Sequence, residues 1–344
     1  MSLSRADRIR GSLFGLAYGD ALGAPTEFMS LARILKQFPP SGPRELFGEL
    51  AFVTDDTQMG LAVAEALQSA DACASFGADV LERELRRTFV AWMKSPDNFR
   101  APGVTCMRAC EALDAGRPWV DACIPRSKGC GANMRVTPVG LLPLGRHGLT
   151  QQDRAAIAQF QAALTHGNAT GLAASDITAE AVADLTAGGD PTGLPLRLRD
   201  YATSQRRVYH ANYLGTVWKR SSAKSPEDYI ESGWNDCLRI LDRLERALIV
   251  SDRSADPCLS TGEGWVAEEA LGSALLSFLL FPDDPVSAIS RAATSAGDSD
   301  SIACLAGAFA GAACGMGSWP ADWATRIEYK DRLDRSATWF AKLQ

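Results

Sequence analysis

The sequence predicts an all-α fold, a single compact domain of many helices packed orthogonally. Three observations carry that expectation. Apolar residues recur at helical spacing nearly throughout, strand-type alternation is almost absent, and two segments carry glycine at every fourth position.

The first helix is expected near 6–22, where Gly11, Gly15, Gly19 and Gly23 recur. Each glycine costs a helix about 1 kcal/mol relative to alanine, so such a ridge implies that another backbone approaches closely. A second helix is expected near 55–70. Thr54 is a good N-cap for it, and Asp55 and Asp56 fall where the helix dipole favours negative charge. Apolar periodicity places further helices near 77–94, 104–115, 150–164 and 173–187, and Gly188, Gly189 and the stretch "GGDPTGLP" then mark a loop. "SPED", Ser225 to Asp228, opens a helix near 226–249 with a capping serine, a proline at the first helical position and first-turn acids. The remaining helices are expected near 265–280, 285–295, 301–314 and 321–342. Gly307, Gly311 and Gly315 give the 301–314 helix a ridge like that of the first, and two central helices packed tightly together account for both. No shift of composition divides the chain, so residues 1–344 are expected to form one domain.

Composition excludes several classes of function. With 344 residues the chain can bury a sizeable core, and its net charge of -6 leaves no basic tract to track a phosphate backbone, so nucleic-acid binding is not expected. The N-terminus lacks an unbroken apolar run followed by a cleavage site, and a cytoplasmic location is expected. Ile302 to Trp319 is uncharged over nearly the length of a bilayer span, but its glycine and alanine content makes it only weakly apolar. A helix surrounded by other helices explains it, and no membrane partner is expected. Nine scattered cysteines without a CxxC pair do not form a disulfide framework, and only His147, His166 and His210 are present. Any metal would be a hard cation held by oxygen.

Acids at two helix starts supply a reason to expect one. Asp55 and Asp56 open one helix, while Asp298, Asp300 and Ser301 stand at the head of the uncharged, glycine-ridged one. If those starts meet, the crowded carboxylates are strongly unfavourable unless protonated or bridged by cations. Two magnesium or manganese ions fit such an oxygen donor set. Glu27, in "GDALGAPTEF" after the first ridged helix, could serve as a general base or gate beside them.

These pieces, joined by "KGCGANMRVTPVGLLPLG" and "LTHGNATGLAASD", resemble in order and over roughly Arg8 to Met316 the ADP-ribosylglycohydrolase family. The resemblance implies a metal-dependent hydrolase that removes ADP-ribose from modified protein side chains, N-linked ADP-ribosylarginine first among them. It implies that Thr54, Asp55, Asp56, Asp298, Asp300 and Ser301 hold two magnesium or manganese ions. The family usually reads Gly-Asp-Thr-Asp-Thr at the second segment, so Ser299 and Ser301 are departures that keep the hydroxyl. Glu27 matches the family's mobile glutamate, and Asp97, in "WMKSPDNFRAPGVT", matches its acidic loop with the following glycine displaced. Glu27, Asp56 and Asp97 are the implied catalytic residues. Ser127, Gly129, Cys130, Gly131, Asn133 and Met134 fall in the glycine-rich loop that wraps ADP-ribose, with Cys130 where several relatives carry asparagine. His166 matches a histidine near the diphosphate and ribose, and Trp265 falls where relatives contact the ligand. An ADP-ribosylated protein would be the substrate and ADP-ribose the product. The alternatives are another ADP-ribosyl linkage (serine, nucleic acid or a small molecule) or an immunity-type protein that occludes a toxin partner.

Overall fold

The computed structural model describes residues 3–343. Helices and short 3-10 turns carry the chain, and among the described residues extended pairing is limited to three isolated bridges: Ala51 with Ile327, Ile124 with His166, and Gly129 with Val266.

Two helices form the axis, Arg5–Gly23 and Ser299–Cys314. A methyl added at Gly11 would fall 2.4 Å from the carbonyl oxygen of Gly311, at Gly15 2.2 Å from that of Gly307, at Gly19 1.8 Å from that of Ala303, and at Gly23 2.5 Å from that of Ser299. Each step of four up one helix is a step of four down the other, so the pair is antiparallel and the backbones touch directly. The end of Arg5–Gly23 therefore lies beside the start of Ser299–Cys314. That contact brings "GDALGAPTE" against "GDSDS", positions nearly three hundred residues apart in the chain. Tyr18 is clamped edge-on between Trp319 and Trp323, with ring centroids 5.4 and 5.3 Å away, and this fastens the C-terminal segment to the same axis.

The other expected helices appear as Asp55–Ala72, Ala78–Met93, Val104–Asp114, Gln151–Ala163, Ala169–Thr186, Pro226–Val250, Ala267–Leu280 and Pro285–Ala293. Ser225 caps its helix as expected, accepting from the Asp228 N–H at 3.1 Å. One contiguous apolar cluster draws on these helices from Ile9 to Leu343.

Three expectations need correction. The helix expected from 173 starts at Ala169, because Asn168 caps it by accepting from the Thr170 N–H at 2.9 Å. The helix expected near 321–342 is split into Trp323–Arg326 and Lys330–Lys342, since Tyr329 between them has a left-handed φ of 56°. Leu31–Gln37 and Leu194–Gln205 were not anticipated. The uncharged Ile302 segment lies in the buried Ser299–Cys314 helix, and no helix among the described residues is long and apolar enough to cross a membrane.

Candidate metal centre

The antiparallel axis delivers Asp298 and Asp300 at the start of one helix and Glu27 just after the 3-10 turn, Ala24–Thr26, that follows the other. One carboxylate oxygen from each of these three residues lies within 4.8 Å of the others. Thr26 fixes the turn: its hydroxyl donates to Ala293 O at 2.7 Å and lies 3.0 Å from Ser299 Oγ. The Ser299 hydroxyl in turn reaches Gly23 O at 3.0 Å.

The second wall is the start of Asp55–Ala72, and its anchor is a residue to which sequence reasoning gave no role. Asp20, fully buried in the first helix, accepts from Thr54 N at 3.0 Å, Thr54 Oγ1 at 2.8 Å, Thr57 N at 3.0 Å and Thr57 Oγ1 at 2.5 Å. Thr54 is thus only a weak cap for its own helix, 3.4 Å from Asp56 N. Its hydroxyl serves mainly to tie that helix to Asp20. Asp55 is aimed by the Gly103 N–H at 3.0 Å, and Asp56 Oδ1 is buried without a partner. A second support was also missed. The Arg100 guanidinium pairs with Glu328 at 2.5 and 2.9 Å, and Glu328 accepts from Val53 N at 3.1 Å, which holds the strand of chain leading into Thr54.

Electrostatics shows what this crowding costs. Burial, then the Asp300 charge, pushes Asp20 up to about 7. Burial also raises Asp55 to about 7 against the pull of the Gly103 hydrogen bond. Glu27 is pushed up to about 9 by burial and by Asp300, Asp55 and Asp20. Asp56, Asp298 and Asp300 shift the same way, with burial the largest cause. Six carboxyl groups thus resist ionising together, and one holds a buried oxygen with nothing to bind. The donors are all oxygen, so the residues present fit hard divalent cations. Thr54, Asp55 and Asp56 would hold them from one side and Asp298, Asp300 and Ser301 from the other, with Glu27 alongside.

The glycine-rich loop lies next to this cluster. Cys130 donates its thiol to Asp298 Oδ2 at 2.7 Å, so the side chain joins the acid network rather than leaving the contact to backbone. Gly129 and Gly131 lie on His166: a methyl at either would meet its ring at 3.3 and 3.1 Å. His166 is buried, burial and Arg135 hold it well below the usual histidine range, and its Nδ1 pairs with Thr165 Oγ1 at 2.8 Å. It supports the loop from beneath, with burial favouring the uncharged imidazole. Ser127 Oγ pairs with Thr105 Oγ1 at 2.9 Å near the loop's start.

The remaining expected site residues make contacts within the protein. Asn133 and Met134 face inward: Asn133 donates to Ala267 O at 3.0 Å, and Met134 Sδ packs 4.0 Å from Ser301 Oγ. Asp97 is not brought into the acid cluster, since its carboxylate receives the Tyr329 hydroxyl at 2.7 Å and its backbone carbonyl receives Gln58. Trp265, 38 % exposed, stacks on Phe28 at 5.5 Å with planes 18° apart. That pair stands at the mouth of the site, beside a cavity of about 440 Å³ lined by Glu27, Phe28, Phe52, Thr54 and Arg100.

Known proteins resemble this chain along nearly its whole length. A protein of Rhodospirillum rubrum named ADP-ribosyl-[dinitrogen reductase] glycohydrolase is 25% identical over 330 residues, covering 94% of this chain and 91% of its own. ADP-ribosylhydrolase ARH3 of Bos taurus is 25% identical over 360 residues, covering 95% and 90%. A solved structure described as an ADP-ribosylglycohydrolase-related protein complex shares the fold with a TM-score of 0.67 at 23% identity, over 99% of both chains. The family model for ADP-ribosylglycohydrolases matches residues 1–344. With two helix starts and a glycine-rich loop converging on one acidic pocket, and that match along its whole length, the chain belongs to the ADP-ribosylglycohydrolase family.

Proposed function

We propose that this family member hydrolyses the N-glycosidic bond of ADP-ribosylarginine on modified proteins, with two Mg2+ or Mn2+ ions as cofactors. The observation that carries the reading is the convergence of Glu27, Asp298 and Asp300 within 4.8 Å, opposite a buried, unpartnered Asp56 oxygen. When bound, the cations supply a template for ribose hydroxyls and activation of water.

The chain's own residues do the rest. The backbone of Gly129 to Gly131, braced by His166, wraps the ADP-ribose, and the Phe28–Trp265 pair shields the mouth from bulk water. Glu27 follows the short turn after the first helix and touches the acid cluster, and in its ionised form, which bound cations would favour over the protonated form that the crowded acids impose, it would accept the proton of the attacking water. The bond from the anomeric carbon to nitrogen breaks through an oxocarbenium-like state, a bond from that carbon to the water oxygen forms, and the proton that Glu27 took from the water passes to the departing nitrogen. Asp97, held by Tyr329, takes no part in the proton transfers.

A protein target is supported by the relative named for dinitrogen reductase, and the arginine linkage by the motif resemblance. The relative named ARH3, equally identical, is named as an ADP-ribosylhydrolase with no linkage specified, so another ADP-ribosyl linkage on the same acids is the second reading. Occlusion of a toxin partner would leave the frustrated carboxyl cluster without a role. The test is release of ADP-ribose from substrates modified on arginine, serine or DNA, with Mg2+ or Mn2+. Arginine substrates are expected to be cleaved fastest. Release that is undiminished in Asp298→Ala/Asp300→Ala sinks the metal mechanism, and faster release from serine or DNA selects the second reading.

A further inference from the structure

A second cavity, of about 430 Å³, opens away from the acidic centre between the 40–44 segment, the turn after Pro226–Val250 and the Pro285–Ala293 helix. Three arginines line it, Arg44, Arg253 and Arg291, and no carboxylate does. Their partners are neutral. Arg44 reaches Ser287 Oγ at 3.1 Å, Arg253 lies over the Phe281 ring at 5.1 Å, and Arg291 donates to the backbone carbonyls of Ser254 and Thr294.

The neighbouring acids are committed elsewhere. Asp284 caps the helix through Ser287 N at 3.0 Å, Asp256 accepts from Cys258 N and Ala296 N, both at 3.0 Å, and Asp252 accepts from Ser254 N at 2.8 Å. Arg291 is only 9% exposed, and its Nε–H is buried with no acceptor at all. A desolvated guanidinium with no carboxylate hydrogen-bonded to it is costly even with the charges of Asp256 and Asp252 nearby, and a doubly charged anion in the cavity would offset that cost. Guanidinium forks match phosphate oxygens, and Ser41 and Ser290 are polar residues of the same lining. Leu35, Pro40 and Phe281 provide the remaining wall, which is apolar. The volume lies within the roughly 300–1,000 Å³ range of small-molecule pockets and exceeds the needs of a bare ion.

We propose that this cavity binds a phosphomonoester carried on a flat apolar body, at a site separate from the acidic centre. The probe is phenyl phosphate, titrated calorimetrically into the full chain at low salt, with inorganic phosphate and phenol as separate arms. Phenyl phosphate is expected to saturate one site, inorganic phosphate to bind it more weakly, and phenol not to bind. Arg44→Ala/Arg253→Ala, both at exposed positions, is expected to weaken phenyl phosphate by more than about tenfold while keeping the thermal midpoint and ADP-ribose release. Asp300→Asn is expected to leave phenyl phosphate binding intact, which separates this cavity from the acidic centre. An affinity unchanged in the double arginine variant, no saturation in the millimolar range, or phenol binding as well as its phosphate would each overturn the proposal.

Discussion

Gly19→Ala and Gly60→Ala make the same chemical change in two buried helices and are expected to move stability in opposite directions. Alanine gains about 1 kcal/mol over glycine inside a helix, and that gain is common to both. The space is not. At Gly60 the new methyl meets Leu16 Cδ1 at 3.6 Å, an ordinary contact, so most of the gain survives. At Gly19 it lies 1.8 Å from Ala303 O and 2.4 Å from Ala303 C, both backbone atoms that no rotamer change can move aside. Restoring an ordinary 3.4 Å contact requires the two axial helices to part locally by about 1.6 Å, the difference between 3.4 and 1.8. Overpacking typically costs about 1–3 kcal/mol, and a backbone clash belongs at the upper end, so the net for Gly19→Ala is a loss of about 2 kcal/mol. With a urea m-value of about 3 kcal/mol/M, the midpoint seen by circular dichroism should fall by about 0.7 M, against a rise of about 0.3 M for Gly60→Ala. The same parting moves Asp20 from Asp300, so Gly19→Ala should also lose much of its stabilisation by Mn2+. If both variants shift the midpoint the same way by similar amounts, the backbone-contact account of the ridge is wrong.

The pH dependence of stability has a definite sign. Asp20, Asp55 and Glu27 titrate higher folded than unfolded, so the native state keeps protons that the unfolded chain releases, and metal-free stability is greatest below about pH 4 and declines as pH rises through about 7 and then 9. Thermal midpoints in EDTA should fall between pH 5 and 9, and saturating Mn2+, by about 2.7 kcal/mol at one hundred times its Kd, should flatten that fall; a flat profile in EDTA would contradict the clustered charge. Asp176, raised to about 7 by burial, has the same sign, so a residual slope should persist with metal and vanish in Asp176→Asn. Glu328→Ala strips Arg100 and Val53 N of their partner and should cost about 2 kcal/mol in urea unfolding while lowering Mn2+ affinity; loss of neither would show that the Thr54 segment is held from elsewhere. Cys130→Ser retains a donor to Asp298 and should keep metal-dependent release within a few-fold, whereas Cys130→Val should lower it clearly; equal rates would dismiss the thiol contact.

What could be read from the residues was whatever repeats or clusters locally. The glycine ridges announce a close contact through their spacing alone, and the acids at 55–56 and 298–300 announce a conflict that only meeting helix starts and cations resolve. Asp20 was hidden because its meaning lies in four donors from Thr54 and Thr57, which no local pattern ties to it. Arg100 and Glu328 are 228 positions apart, and nothing in either neighbourhood marks the other. Asn133 and Met134 were taken with the loop they follow, yet the chain turns inward after the 3-10 turn Cys130–Ala132 and carries both into the core. Asp97 matched a motif in type and rough position, while the displaced glycine behind it belonged to a loop that points the carboxylate at Tyr329.

The interlocked axis also makes the pocket's geometry discrete. Teeth spaced four residues apart on both helices allow sliding only in steps of about 6 Å, so intermediate registers lie on steep walls where carbonyls would collide. Helices that stay in contact cannot slide to an intermediate register; they keep the one that aligns Glu27 with Asp298 and Asp300 or lose that alignment altogether. Loops such as those carrying Phe28 and Trp265 are free to vary what enters, while the register in which the acids meet behaves as a two-valued quantity.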